Sequence, residues 1–297
     1  MPQLATNVKL SNEAAERTSN PLYDTWRSFA KNKLAITGLI ILFLFIIIAI
    51  IAPFITHYDY KEPVLLDRLQ PPGAAHWFGT DDLGRDVFAR VVYGSRISLW
   101  VGTVSIVFSI AAGTMLGILA GFYGKWVDMA ISRFFDILLA FPGILLAIAI
   151  VAALGPSLQN ALLAIAIVNI PVFGRLVRAK VLSLRAEEYI MAAKALGMKD
   201  SRILFQHILP NSLTPIIVQG TLSIAHAILE CAALGFLGLG AQPPEPEWGK
   251  MLSDSRQFIQ HGFWTLFFPG LSIMLTVLGF NLLGDGLRDA LDPKMKQ

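Results

Sequence analysis

The 297-residue chain is 55% hydrophobic and only 15% charged, with a mean hydropathy of +0.59. A soluble domain carries about 25% charged residues, so the composition excludes an ordinary water-soluble fold and points to an integral membrane protein. A single cysteine, Cys231, excludes a disulfide framework and a multi-cysteine metal site, and the net charge of +3 says less than the placement of its cations.

The first 33 residues are polar, unlike a cleavable leader with a basic start and a short apolar core. Within them, PLYDTWRSFAKNK (21–33) places Leu22, Trp26 and Phe29 on one helical face. That pattern predicts an interfacial helix along one leaflet, or else a plain lead-in to the first span. Crossing about 30 Å of hydrocarbon takes about 20 apolar residues in a helix. Six stretches qualify: 34–55, 97–120, 130–154, 160–177, 213–239 and 263–284, the third and fourth interrupted by polar residues. Helices are expected because lipid offers no partners to backbone groups. Six spans put both termini on one side. Of the 24 Lys and Arg, only Lys61, Arg68, Arg85, Arg90, Arg96, Lys250 and Arg256 fall on the other side, which predicts cytoplasmic termini.

Between the first two spans, Asp81, Asp82, Arg85, Asp86, Arg90 and Arg96 suit a solvated rim, with a surface helix from Asp82 to Tyr93 leading into span two. On that span Gly113, Gly117 and Gly121, spaced by four, form a seam that lets another helix approach closely, within this chain or from another subunit. At the start of span three, Asp128, Arg133 and Asp136 predict a structural ion pair, and Pro142, Pro171 and Pro269 can bend spans three, four and six. Span five carries Gln219, His226 and Glu230. Ionisable groups inside a bilayer are costly and often mark a water-filled path; the alternative is a His226–Glu230 hydrogen bond that fastens helices. Two ligands are too few for a metal site. The segment 241–262, with PPEPEW at 243–248, is too proline-rich for a continuous helix.

The polar stretch 178–212 is too long for a simple turn. Glu187, Glu188, Ala192 and Ala193 suit a short helix that Gly197 ends in the left-handed conformation. Asp200 or Ser201 is expected to cap a second short helix, which Pro210 would close. Ile203, Leu204, His207 and Ile208 share its apolar face, and such a face usually needs a partner.

Residues 191–210, MAAKALGMKDSRILFQHILP, resemble the EAA loop of ABC-importer permeases, matching at Ala192, Ala193, Gly197, Leu209 and Pro210 and departing at Met191, where that family often has Glu, and at His207, where the pattern has Ile. Glu187 or Glu188, one turn earlier, is a candidate replacement for the missing carboxylate. GTDDLGRDVFARVVYGSRISL (79–99), ALGFLGLGAQPPEPEWGKML (233–252) and GDGLRDALDPK (284–294) are similar to the C-type permease of dipeptide and oligopeptide importers, a likeness that runs over nearly all the chain after about residue 20 and is shared with nickel, glutathione and antimicrobial-peptide importers.

The resemblance implies an all-α integral membrane fold of six transmembrane helices with type I importer architecture, in a bacterial cytoplasmic membrane. It implies a cytoplasmic N-terminal segment (1–33), a permease domain (34–284) with its coupling loop at about 187–210, and a cytoplasmic tail (285–297). The implied partners are a second permease, two cytoplasmic ATPase subunits or domains, an extracellular or periplasmic solute-binding protein and membrane lipid, with no nucleic acid. Span five would line the pathway. ATP and Mg would sit on the partners: the chain has no GxxxxGK[ST] loop to cradle phosphates, GFYGKW at 121–126 being wrongly spaced, and no set of residues placed for catalysis. An ion-coupled carrier would instead need paired broken helices with midplane ligands in both halves.

Overall fold

The computed structural model describes residues 21–291; residues 1–20 of the expected N-terminal segment and 292–297 of the expected tail lie outside the described residues. Among the described residues the fold is helical, with one isolated bridge, Thr80 to Asp86. Helix α1 (Pro21–Lys31) leads through Asn32 into α2 (Lys33–Ile55). Asn32 caps α2 by accepting from the Leu34 and Ala35 amides at 3.0 and 3.2 Å, which satisfies donors that a helix start leaves free. In α1, Phe29 is buried and stacks on the exposed Trp26, ring centroids 5.8 Å apart; the Leu22 side chain lies outside the described residues.

Helix α3 (Val87–Tyr123) is a single 37-residue element. It absorbs both the second span and the surface helix expected before it. Asp86 caps it, its carboxylate accepting from the Ala89 amide at 2.7 Å. The glycine seam packs inside this chain, against α6 (Leu158–Arg185). A Cβ added at Gly113 would lie 2.7 Å from the Ile170 carbonyl oxygen, and one at Gly117 2.5 Å from that of Gly174. One turn before the seam, Ser109 Oγ donates to the Ala166 carbonyl at 2.8 Å. Without side chains between them the backbones close to direct contact, and dispersion replaces the hydrophobic force that lipid cannot supply.

The third span is not one helix. It divides into α4 (Lys125–Leu139) and α5 (Gly143–Leu154), which meet at 90°. The break sits at Ala140–Pro142, where the proline cannot donate and its ring disfavours a helical residue before it. Helix α4 crosses α6 where Phe135, fully buried, lies against Gly174.

After α7 (Glu188–Ala195) comes α8, continuous from Asp200 to Phe236 through a π-helical turn at Leu204–Ile208. The sequence predicts two short helices closed by Pro210; instead the proline is carried inside one long helix. The wider turn explains it: the Leu209 amide reaches back five residues to the Leu204 carbonyl, and where the turn is already opened the missing proline N–H and bulky ring disrupt little. Helices α9 (Trp248–Ser255) and α10 (Trp264–Leu291) complete the chain. Asn32 Nδ2 donates to Asp289 at 3.2 Å, so the start of the first span and the end of the last lie at the same end of the bundle.

Candidate coupling loop and polar pathway

The loop is built as a helix, a stop and a restart. Helix α7 ends at Ala195 with Leu196 as its C-cap, and Gly197 follows with φ +77°. The Gly197 amide bonds the Lys194 carbonyl at 3.0 Å and the Met198 amide bonds the Ala193 carbonyl at 3.1 Å. This pair of crossed bonds is the Schellman arrangement, and the left-handed residue it needs is cheap only for glycine. Nothing lies within 4 Å of a Cβ placed on Gly197, so backbone conformation alone demands glycine there. The restart differs from expectation. The cap position of α8 is Lys199, with no side-chain cap bond, and Asp200 is already the first helical residue. A carboxylate in the first turn still suits the helix dipole.

Ile190, Ala193, Ile203 and Ile208 are buried, in one cluster with Val177, Val181 and Leu184 of α6, apart from Ala193. Glu187, Glu188, Ala192 and Pro210 are exposed, and Leu209 is half-buried. Met191 is 54% exposed, Leu196 88% and Phe205 69%. The half-buried His207 lies 6.1 Å from the Tyr189 ring, joining the two arms of the loop. The structure thus pins one side of the loop to α6 and leaves an apolar side uncovered.

Gln219, His226 and Glu230 lie on α8 at spacings of seven and four, so all three fall on one stripe about 16 Å long. Glu230 Oε2 accepts from Asn169 Nδ2 of α6 at 3.1 Å, and Asn169 also donates to the Ile165 carbonyl at 2.9 Å. Gln219 Nε2 donates to Ser223 at 3.2 Å, and His226 is exposed. The partner of the carboxylate is therefore Asn169 on another helix. Asn169 carries a signal in the sequence, as the lone amide in the apolar run before Pro171.

The ion pairs of α4 also choose α6. Arg178 Nη2 donates to Asp128 at 2.7 Å and Arg175 Nη2 to Asp136 at 2.7 Å. The expected pairing through Arg133 is not formed. Five residues turn Arg133 about 140° away from Asp128, whereas Arg175 and Arg178 face both carboxylates across the α4–α6 crossing.

At the opposite end of the bundle, the segments for which the sequence leaves a solvated rim open fold around a buried polar cap, with Arg96 alone among the charges named there exposed and Asp82 half-buried. Asp81, Arg85, Asp86, Arg90 and His76 are each less than 10% exposed. Arg85 Nε donates to Asp81 at 2.7 Å, Arg90 Nη1 to the Tyr60 carbonyl at 2.9 Å, and His76 Nδ1 meets Asp86 at 2.9 Å. Trp248 Nε1 bonds the Val91 carbonyl and Trp264 Nε1 that of Thr80, both at 3.0 Å. Glu247 caps α9, accepting from Gly249 and Lys250 amides at 2.8 Å, and is buried. Burial pushes its carboxyl up to about 7. Partners near and far keep the charges inside: Arg85 pairs with Asp81 one turn away and Glu247 with the amides of its own helix start, while Arg90 reaches the Tyr60 and Pro244 carbonyls and Asp86 meets His76.

Residues 113–297 match the binding-protein-dependent transport system inner membrane component family, and residues 20–72 match the N-terminal transmembrane domain of oligopeptide transport permease C. A dipeptide transport system permease protein DppC of Alkalihalophilus pseudofirmus is 68% identical over 277 residues, covering 93% of this chain and 91% of that protein. A glutathione transport system permease protein GsiD of Pectobacterium atrosepticum is 48% identical over 277 residues, covering 93% and 92%. An inward-facing crystal structure of the MetNI methionine ABC transporter contains a chain of the same fold, with a TM-score of 0.56 at 19% identity, covering 69% of this chain and 98% of that one. With most of its length matched and its helices apolar enough to cross a membrane five or six times, the chain belongs to the binding-protein-dependent transport system inner membrane component family, as a multi-pass permease of a bacterial ABC transporter.

Proposed function

We propose that this chain is the C-type permease subunit of an importer that moves dipeptides or short oligopeptides into the cell. The observation that carries the reading is the 68% identity, spread over 93% of the chain, to a protein named as a dipeptide permease. In this reading both termini are cytoplasmic, residues 1–33 and 285–297 flank a permease domain at 34–284, and the loop at about 187–210 faces the cytosol. Two ATPase subunits or domains, which hold the ATP and Mg, engage its uncovered apolar side; Leu196 and Met191 are exposed where such a partner would sit. A second permease closes the pathway, lipid surrounds the pair, and a binding protein delivers solute to the polar cap. Because α8 joins the loop to the Gln219–His226–Glu230 stripe, movement of the loop reaches the pathway through one helix. ATP and loaded binding protein drive transport only if they favour different states. Glu230 offers a carboxylate to a peptide ammonium group, a pairing strengthened where water is scarce.

The test is uptake of labelled dipeptide, labelled glutathione and labelled nickel by cells with and without this chain, with ATP depletion as control. Loss of ATP-dependent dipeptide uptake alone is the expected result. Loss of glutathione uptake alone would move the substrate toward that of the Pectobacterium relative, and loss of nickel uptake alone would move it out of peptides altogether.

A further inference from the structure

About 16 Å along α8 from Glu230, and on the same stripe, a groove of about 430 Å³ opens between α6, α8 and α10, lined by Leu176, Pro215, Val218, Gln219, Leu222 and Arg288 among others. Its size falls within the range of small-molecule sites, and an apolar body with a few placed polar groups is their usual composition. Gln219 donates one N–H to Ser223, which leaves its carbonyl oxygen and a second N–H for another partner. Arg288 is exposed, and among the described residues no carboxylate lies within ion-pair distance of it. Its neighbour Asp289 is engaged elsewhere, by Asn32.

We infer that this groove is a second substrate station, in which the free carboxylate of a peptide pairs with Arg288 while Gln219 meets the peptide bond. The inference deepens the proposed function and rests on it. Guanidinium is the side chain best matched to a planar carboxylate, in a bidentate fork. The amide of Gln219 has the donor and acceptor that a peptide bond requires, and neither has a counterpart in an acyl chain, which sets a peptide above a phospholipid as occupant. Glu230 and Arg288 carry opposite charges at opposite ends of the stripe. A dipeptide spans only about 7 Å, so it meets them in succession: ammonium at Glu230, then carboxylate at Arg288.

The experiment uses the chain reconstituted with its partner permease and ATPases in phosphatidylethanolamine and phosphatidylglycerol vesicles. Uptake of labelled dialanine, with binding protein present, secures the functional reading. Equilibrium binding of labelled dialanine is then competed by unlabelled dialanine or its C-terminal amide, with the binding protein omitted so that its own selectivity does not enter. The expected result is a preference of about tenfold for acid over amide that Arg288→Gln abolishes and Arg288→Lys, which keeps the charge without the fork, retains in part. An unchanged acid-to-amide ratio in Arg288→Gln overturns the inference. If that variant also loses co-purified phosphatidylglycerol, the groove belongs to a lipid headgroup. Absence of dialanine uptake by the wild-type complex would overturn the functional reading, and this inference with it; uptake with no acid preference in the wild-type binding assay would overturn the inference alone.

Discussion

The two ends of the bundle treat polar and apolar groups in opposite ways. In the cap, charged side chains are inside: Glu247 is 1% and Arg90 2% exposed, and the bond from Arg90 to the Pro244 carbonyl ties together segments 154 residues apart. In the loop at 187–210 the large apolar side chains of Met191, Leu196 and Phe205 are outside, although Ile190, Ile203 and Ile208 are buried, and the turn is held by backbone bonds around Gly197. Buried polar networks are costly unless completed, and rigid once they are; an uncovered apolar face is unfinished until something covers it. The cap buries its charges within the chain, and the loop leaves apolar surface uncovered.

The sharpest way to break the cap is Arg90→Met. It leaves the Tyr60 carbonyl unpaired and Asp81 with one cation fewer, and we expect a loss of about 3 kcal/mol, read as a lowered midpoint of thermal unfolding in detergent. Glu247 gives a pH signature of similar origin. Its folded value, about 7, lies above the reference value of 4.5, so between these the folded state holds a proton that the unfolded state has lost. Stability therefore falls as pH rises from about 4.5 to 7 and levels off above. The contribution is on the order of 3 kcal/mol, and Glu247→Gln should flatten that stretch of the stability–pH curve.

Between the two ends, Gly117→Ala forces a methyl group against the Gly174 carbonyl and should cost about 2 kcal/mol by the same unfolding measurement. Gly197→Pro demands a φ near −65° where the chain has +77°. Proline also removes the amide that bonds the Lys194 carbonyl, so the cost to the fold exceeds about 1 kcal/mol but stays local to the loop; uptake should fall steeply while membrane insertion and ATP hydrolysis persist. Wild-type transport by Gly197→Pro would remove the loop from its coupling role. Met191→Glu should change stability by less than about 0.5 kcal/mol, since the side chain is half exposed. It should tighten co-purification of the ATPase subunits, and unchanged co-purification would mean that Glu187 or Glu188 already does that work.

The sequence makes the loop legible and the cap illegible, for physical reasons. Gly197 is a local signal: a helix followed by a left-handed residue needs no distant partner to be recognised. The six apolar stretches are also local, set by bilayer thickness. Arg85, Asp86 and Arg90 read as a solvated rim because charges in a short segment are usually hydrated; only Tyr60, His76 and Pro244, brought in from elsewhere, put them inside. Asp128 and Asp136 point to the wrong arginine in the sequence because proximity along the chain says nothing of the crossing of α4 over α6. Pro210 reads as a stop in an α-helix, and a π turn accommodates it.

That turn has a mechanical consequence. With it, the 37 residues from Asp200 to Phe236 form one continuous helix, about 55 Å measured along its axis, gripped near its base by Ile203 and Ile208 and carrying Glu230 near its far end. A tilt of about 5° at the base sweeps the tip sideways by about 4 Å over the roughly 42 Å from Arg202 to Glu230, more than the reach of the Asn169–Glu230 hydrogen bond. A small angular displacement beside the loop is therefore sufficient to unlatch a carboxylate far from it, with leverage in place of a relay of side chains.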